Sequence, residues 1–196
     1  MKHIIVLSFL FAFPATYFSQ AVKFRDGQLP NGMTYPMIVF TSNRGAEMSI
    51  NRDIEANVQT FRERDFCIGQ YGFIQKASFL QIHIYANCID MVESENYYYL
   101  YDMETGETAT VTDMLNPKTE EEFNTYFRNI VKNFVTDKEI ELTETESLDA
   151  FIVAELNAKL DKDGIYFTSS RLVNWGDNQL FVKWTDIQTF LKVTYI

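Results

Sequence analysis

The stretch Cys67-Ile68-Gly69-Gln70-Tyr71-Gly72-Phe73-Ile74-Gln75-Lys76-Ala77-Ser78-Phe79-Leu80-Gln81-Ile82-His83-Ile84-Tyr85-Ala86-Asn87-Cys88 decides the fold of this chain. Leu80, Ile82, Ile84 and Cys88 share one face, and Gln81, His83, Tyr85 and Asn87 share the other. That is the period of two of a half-buried strand. With a turn between Ala77 and Ser78, the strand from Ser78 to Asp90 folds back on one running from Arg64 to Gln75. Cys67 then faces Cys88, Tyr71 faces Ile84 and Phe73 faces Ile82, all on the apolar face. Register and pattern support each other, because a slip of one residue would turn every side chain to the opposite face. Cysteines directly opposed in a non-hydrogen-bonded pair can be bridged. Cys67 and Cys88 are the two cysteines of the chain, and a disulfide between them is expected.

Working outward, Tyr35 to Thr41 reads as a first strand, with Pro36 near its start, where a missing donor does least harm. A helix follows from about Arg44 to Phe61, with Ala46, Ile50, Ile54, Val58 and Phe61 on one stripe. Beyond the central pair, Glu95 to Met103 is a strand rich in tyrosine, ended by the turn signal Glu104-Thr105-Gly106-Glu107. Thr112 to Leu115 reads as a short helical turn. Thr119 to Val135 is the clearest helix: Thr119 and Glu122 suggest a capping box, and Phe123, Tyr126, Phe127, Ile130, Val131 and Phe134 form an apolar stripe. Thr143 to Leu160 starts as a helix pattern and ends as a strand. That strand returns through Asp161-Lys162-Asp163-Gly164 into Ile165 to Thr168. Leu180 to Trp184 is a last strand, and Thr185 with Gln188 suggests a cap for a terminal helix reaching Phe190. Hairpins dominate, so the class is α+β, a mainly antiparallel sheet with helices packed on one face.

The N-terminus has a different character. Met1-Lys2-His3 precedes an apolar run from Ile4 to Phe13, broken by Pro14, with small residues Ser19 and Ala21 before Val22. This is the layout of a secretory signal peptide, residues 1–21, with cleavage after Gln20 as a close alternative. The run is too short for a membrane span, which needs roughly 20 apolar residues. Residues 22–196 are expected to form one domain, secreted or periplasmic, with no membrane span. The formal charge is −10, and removal of Lys2 with the leader makes the remainder more negative. Such a field repels nucleic acid and anionic membranes and attracts a basic protein.

Little here suggests catalytic machinery. His3 leaves with the leader, and His83 lies on the strand face opposite Cys88. No zinc-like spacing is present, and a nucleophile–histidine pair could draw on His83 alone. Glu120-Glu121-Glu122 at a helix start is explained by the macrodipole. Asp161-Lys162-Asp163-Gly164 reads as a turn rather than a calcium loop. No catalytic residue, metal ligand or cofactor is assigned. The run Tyr97 to Tyr101 packs a sheet or offers a sugar-stacking surface. The polar loop Ser170 to Asn178 carries Arg171, Asn174, Trp175 and Asp177, a candidate binding loop in which Trp175 is either a recognition anchor or a plug for the core.

Taken in order, three segments resemble the RsiV/PdaC-like extracellular domains. They are Tyr35-Pro36 with the helix bearing Asn51, the run from Tyr98 to Gly106 continuing into Val111-Thr112-Asp113-Met114-Leu115, and Asp163 to Phe167 followed by Leu180 to Trp184. The resemblance implies an extracellular recognition domain. In that family the domain binds lysozyme in an anti-sigma factor, or accompanies a separate peptidoglycan deacetylase domain. The loop from Arg171 to Asn178 does not match the family's motif before the last strand, so no binding residue is carried across. The expected function is a non-catalytic, exported binding module whose partner is a basic protein such as lysozyme, or peptidoglycan. A wall-acting hydrolase using an Asp/Glu pair, or a structural envelope protein, are the alternatives.

Overall fold

The computed structural model describes residues 22–39, 43–140, 157–168 and 178–192. Strands β1 (Lys23–Gln28) and β2 (Thr34–Val39) form an antiparallel hairpin, Lys23 opposite Val39 and Gln28 opposite Thr34. The expected first strand, starting at Tyr35, is β2; β1 has no counterpart in the sequence pattern. Lys23, Arg25, Asp26 and Gln28 give β1 a polar pattern, and its strand conformation follows from pairing rather than hydrophobic alternation. The Tyr35 ring lies across Gly27, where an added Cβ would come within 2.5 Å of ring carbon.

Helix α1 (Arg44–Val58) starts at Asn43, whose side chain accepts the Ala46 N–H at 3.2 Å. Its buried residues Ala46, Ile50, Ile54 and Val58 recur every three or four positions, and a 3-10 turn continues the stripe to Phe61. Asn51 docks this helix on β2. Its Oδ1 accepts the Ile38 N–H at 2.7 Å and its Nδ2 donates to the Ile38 carbonyl at 2.9 Å. One side-chain amide thus meets a strand edge as a neighbouring strand would.

Strands β3 (Cys67–Lys76), β4 (Phe79–Cys88) and β5 (Glu95–Asp102) form a meander in the order β3-β4-β5. The register is the one read from the sequence, with Cys67 opposite Cys88, Tyr71 opposite Ile84 and Phe73 opposite Ile82. The Cys67–Cys88 disulfide is present, with the two Cα atoms 4.0 Å apart. One face of the meander carries Leu80, Ile82, Ile84, Ala86 and Tyr101 into a core shared with β2 and α1. Gly106, at φ +77°, ends the turn after β5, where an added Cβ would lie 2.5 Å from the Ala46 Cα. This lets the turn close on the start of α1.

A second core lies against the turn end of the opposite face. Phe79 joins α2 (Val111–Met114), α3 (Glu120–Asp137), β6 (Asn157–Leu160), β7 (Gly164–Thr168), β8 (Leu180–Lys183) and α4 (Trp184–Ile187). Phe123, Phe127, Val131 and Val135 are the buried stripe of α3. Each such side chain contributes about 1.5–3 kcal/mol on leaving water. Strands β6, β7 and β8 form a third antiparallel sheet, and Leu160 faces Ile165 across the Asp161–Gly164 turn. Gln81, buried on β4, accepts the Leu160 N–H at 2.6 Å and ties this sheet to the meander. The architecture is α+β and mainly antiparallel, with the strands of the described residues divided among three sheets.

Two helix starts differ from the sequence reading. Thr119 makes no side-chain cap to α3; its hydroxyl donates to the Asn116 and Phe190 carbonyls at 3.1 and 3.3 Å. The reciprocal arrangement stands at α2 instead, where the Asp113 carboxylate accepts the Thr110 N–H at 2.7 Å. Thr185 is inside α4 rather than before it. The Trp184 backbone N–H donates to the Asp163 carbonyl at 3.1 Å and its indole to the Asp161 carbonyl at 3.0 Å, and the chain turns helical two residues earlier than a cap at Thr185 would place it. The helical pattern beginning at Thr143 lies outside the described residues.

Two measurements follow from these ties. Reduction of Cys67–Cys88, or Cys67→Ser with Cys88→Ser, is expected to cost about 2–4 kcal/mol, toward the low end because the closed loop is short. Urea midpoints with and without reductant check this, and unchanged midpoints would contradict it. Separately, the Tyr71 hydroxyl donates to Asp26 at 2.6 Å, joining β3 to β1. That hydrogen bond, with burial and the carboxylate charge adding to it, pushes the phenol up to about 12 from 10.0. The folded state therefore keeps a proton that the unfolded chain releases. The resulting stabilisation is complete below pH 10 and disappears as pH rises through about 12. In an NMR titration, the Tyr71 ring signals are expected to titrate near pH 12, and nearer 10 in Asp26→Asn.

Candidate functional site

The candidate binding loop with Arg171, Asn174, Trp175 and Asp177 lies outside the described residues. The described part of the chain offers a different surface, at the disulfide end of the meander. Its inner side is tightly tied. Asn31, in the turn between β1 and β2, donates to the Phe61 and Arg64 carbonyls at 2.7 and 3.3 Å, and its Nδ2 lies 3.2 Å from the Cys67 sulfur. Its Oδ1 accepts the Met33 N–H at 3.2 Å. One asparagine thus fixes the chain as it enters β3, and Cys67 and Cys88 are both buried beneath the sheet.

The outer side of the same end is apolar and open. Phe66, Ile68, Ile89 and Val92 are 64%, 50%, 77% and 100% exposed. Strand alternation explains the first three. Phe66 and Ile68 flank Cys67 and point opposite to it, and Ile89 follows Cys88, with its N–H donating to the Phe66 carbonyl at 3.1 Å. The Phe66 ring rests beside Gly32, at φ +94°, where an added Cβ would sit 3.6 Å from it. Val92 lies on the loop between β4 and β5, beside a shallow depression lined by Arg64, Asp90, Met91, Glu93 and Glu95. Glu63, Asp65, Asp90, Glu93 and Glu95 are exposed around the cluster. Arg64 is engaged with Asp90 at 3.5 Å and lies 5.9 Å from the Phe61 ring centre.

Farther along the same outer face, His83 and Tyr98 stack at 4.5 Å with an interplanar angle of 6°. The His83 Nε2 donates to Asn96 Oδ1 at 2.8 Å, and the Lys159 ammonium lies 5.1 Å from the Tyr98 ring centre. His83 is thus a half-buried strand histidine held by ring and amide partners. The tyrosine run divides by strand parity. Tyr97, Tyr99 and Tyr101 pack into the first core, and Tyr98 faces outward. The Tyr101 hydroxyl donates to Asp53 at 2.8 Å; burial, then that bond, holds its pKa far above the ordinary phenol value. Tyr101 and Asp53 therefore act as a packing pair between β5 and α1. Burial likewise raises Tyr99, aided by the Asp53 charge.

Asp161 and Asp163 form the expected turn, Asp163 N–H donating to Asp161 Oδ1 at 3.2 Å and Asp161 N–H to the Gly164 carbonyl at 2.8 Å. Glu120, Glu121 and Glu122 occupy the first turn of α3. Among the described residues, no three His, Cys, Asp or Glu side chains converge as metal ligands, and no helix is long and apolar enough to cross a membrane. What the described surface can do is make contacts: an apolar centre, a carboxylate surround and a preformed backbone beneath. The candidate residues expected from the sequence do not include this cluster. Its signal was apolar residues at outward parity, Phe66, Ile68 and Ile89, beside the two cysteines.

No protein-family model matches the chain, and a search of curated proteins finds no match. Among solved structures, it is similar to a member of the DUF3298 family from Bacteroides fragilis, at 11% identity and a TM-score of 0.46. That alignment covers 90% of this chain and 96% of the other. A DUF3298 family protein from Pseudomonas aeruginosa aligns at 9% identity and a TM-score of 0.47, covering 90% and 94%.

Proposed function

We propose that the chain is an exported, non-catalytic binding module, with residues 22–196 as its working domain and a basic protein of the lysozyme kind, or a cell-wall component, as its ligand. The observation that carries this reading is the gathering of exposed apolar side chains at one end of the meander in a chain of net charge −10. Isolated exposed apolar residues need no explanation, but a contiguous group marks an interaction surface. The charge selects the class of partner: complementary fields speed encounter and reject partners of like sign. The sequence resemblance to RsiV/PdaC-like extracellular domains supports the choice of wall-associated ligands. The leader at residues 1–21 supports export, and the Cys67–Cys88 disulfide fits an oxidising compartment.

Immobilised protein comprising residues 22–196 is expected to retain lysozyme or purified peptidoglycan at low ionic strength. Retention of lysozyme should weaken as salt rises, because the screening length shrinks from about 30 Å at 0.01 M to about 8 Å at 0.15 M. The same protein is expected to leave a peptidoglycan gel uncleared in zymography. Failure to retain any muramidase or wall fraction at low salt, or clearing of the gel by the purified protein, would overturn the reading.

A further inference from the structure

We infer that the disulfide end of the meander is the docking surface, and that it takes a cationic protein surface presenting an apolar side chain among lysines or arginines. The inference deepens the binding-module reading by naming its face and the chemistry of its partner. Among the described residues seven large hydrophobic side chains are exposed, and four of them, Phe66, Ile68, Ile89 and Val92, fall in two short segments joined by the first rungs of β3 and β4. None of the four belongs to either hydrophobic core. Phe66 leans on the turn at Gly32, yet at least half of each of the four side chains stays open to solvent.

The backbone below them is preorganised. The Cys67–Cys88 bridge closes one side, the hydrogen bond from Ile89 to Phe66 extends the ladder past it, and Asn31 anchors the entering chain. A partner thus meets a fixed frame, with less ordering cost on binding. An apolar centre inside a polar surround is the anatomy of a protein interface. The surround here is acidic. Glu63, Asp65, Asp90, Glu93 and Glu95 stand against Arg62 and Arg64, and Arg64 is paired with Asp90. Two copies of this chain would bring like charge onto like charge, and nucleic acid or anionic lipid would be repelled in the same way. A cationic protein is the occupant that the field favours.

The test uses the disulfide-bonded protein, residues 22–196, and two probes: a short peptide of alternating lysine and leucine, and oligolysine of equal charge. At low salt the mixed peptide is expected to bind more tightly than oligolysine. Phe66→Ser with Ile89→Ser should weaken the mixed peptide about tenfold, the loss expected from one or two buried anchors, and leave oligolysine unchanged. Glu93→Lys with Glu95→Lys should weaken both. Met48→Ser, exposed on α1 away from this face, should weaken neither. Phe66, Ile89, Glu93, Glu95 and Met48 are all exposed, so these variants are expected to melt with the parent. Equal binding of both probes, no binding of the mixed peptide, or indifference to the Phe66 and Ile89 changes would overturn the docking surface while leaving lysozyme or peptidoglycan retention free to stand. Binding to phosphatidylcholine vesicles, or self-association, lost in the Phe66 and Ile89 variant would assign the face to another occupant and also overturn it.

Discussion

The register of β3 against β4 is the constraint from which the rest of the molecule follows. A strand has two faces, and a one-residue slip exchanges them completely. In the observed register Ile82, Ile84 and Cys88 enter the first core, while Gln81, His83 and Phe66 face the other way. Both ends of the hairpin are held, by the turn at Ala77 and by the disulfide. Strand β5 then inherits its parity from β4. Tyr97, Tyr99 and Tyr101 turn inward and Tyr98 outward.

The second face of the meander is used unevenly. Near the turn, Phe79 is buried in the second core and Gln81 receives the Leu160 N–H. Gln81 is the one buried polar residue among those described, and its hydrogen bond satisfies a backbone donor that would otherwise be desolvated at a cost of about 1–3 kcal/mol. Toward the disulfide, the same face is left to His83, Tyr98 and finally Phe66, Ile68 and Ile89. The burial of one half and the exposure of the other divide structural work from contact-making along a single pair of strands.

Much of this was legible in the sequence, for a local reason. The β3–β4 register, the stripes of α1 and α3 and the return from Leu160 to Ile165 are all set by periodicity and turn residues, which the chain carries within itself. What was not legible depends on distant partners. β1 is a strand because β2 pairs with it, despite its charged residues. The Thr119 hydroxyl turns back to the Asn116 carbonyl at 3.1 Å, with the Phe190 carbonyl also at 3.3 Å, instead of capping α3. Trp184 starts a helix because its indole reaches Asp161. The contact surface shows the same limit. Phe66 and Phe79 bracket the hairpin and both follow the outward parity, yet Phe79 is 3% exposed and Phe66 is 64% exposed. Only the placement of the second core separates them.

Cross-strand contacts between α-protons test the register most directly. In a non-hydrogen-bonded antiparallel pair the two α-carbons lie closest, so opposed α-protons give strong nuclear Overhauser effects. The account requires such effects between Cys67 and Cys88 and between Tyr71 and Ile84. Finding Tyr71 paired instead with His83 or Tyr85 would place Phe66 and Ile68 on the core side and contradict it.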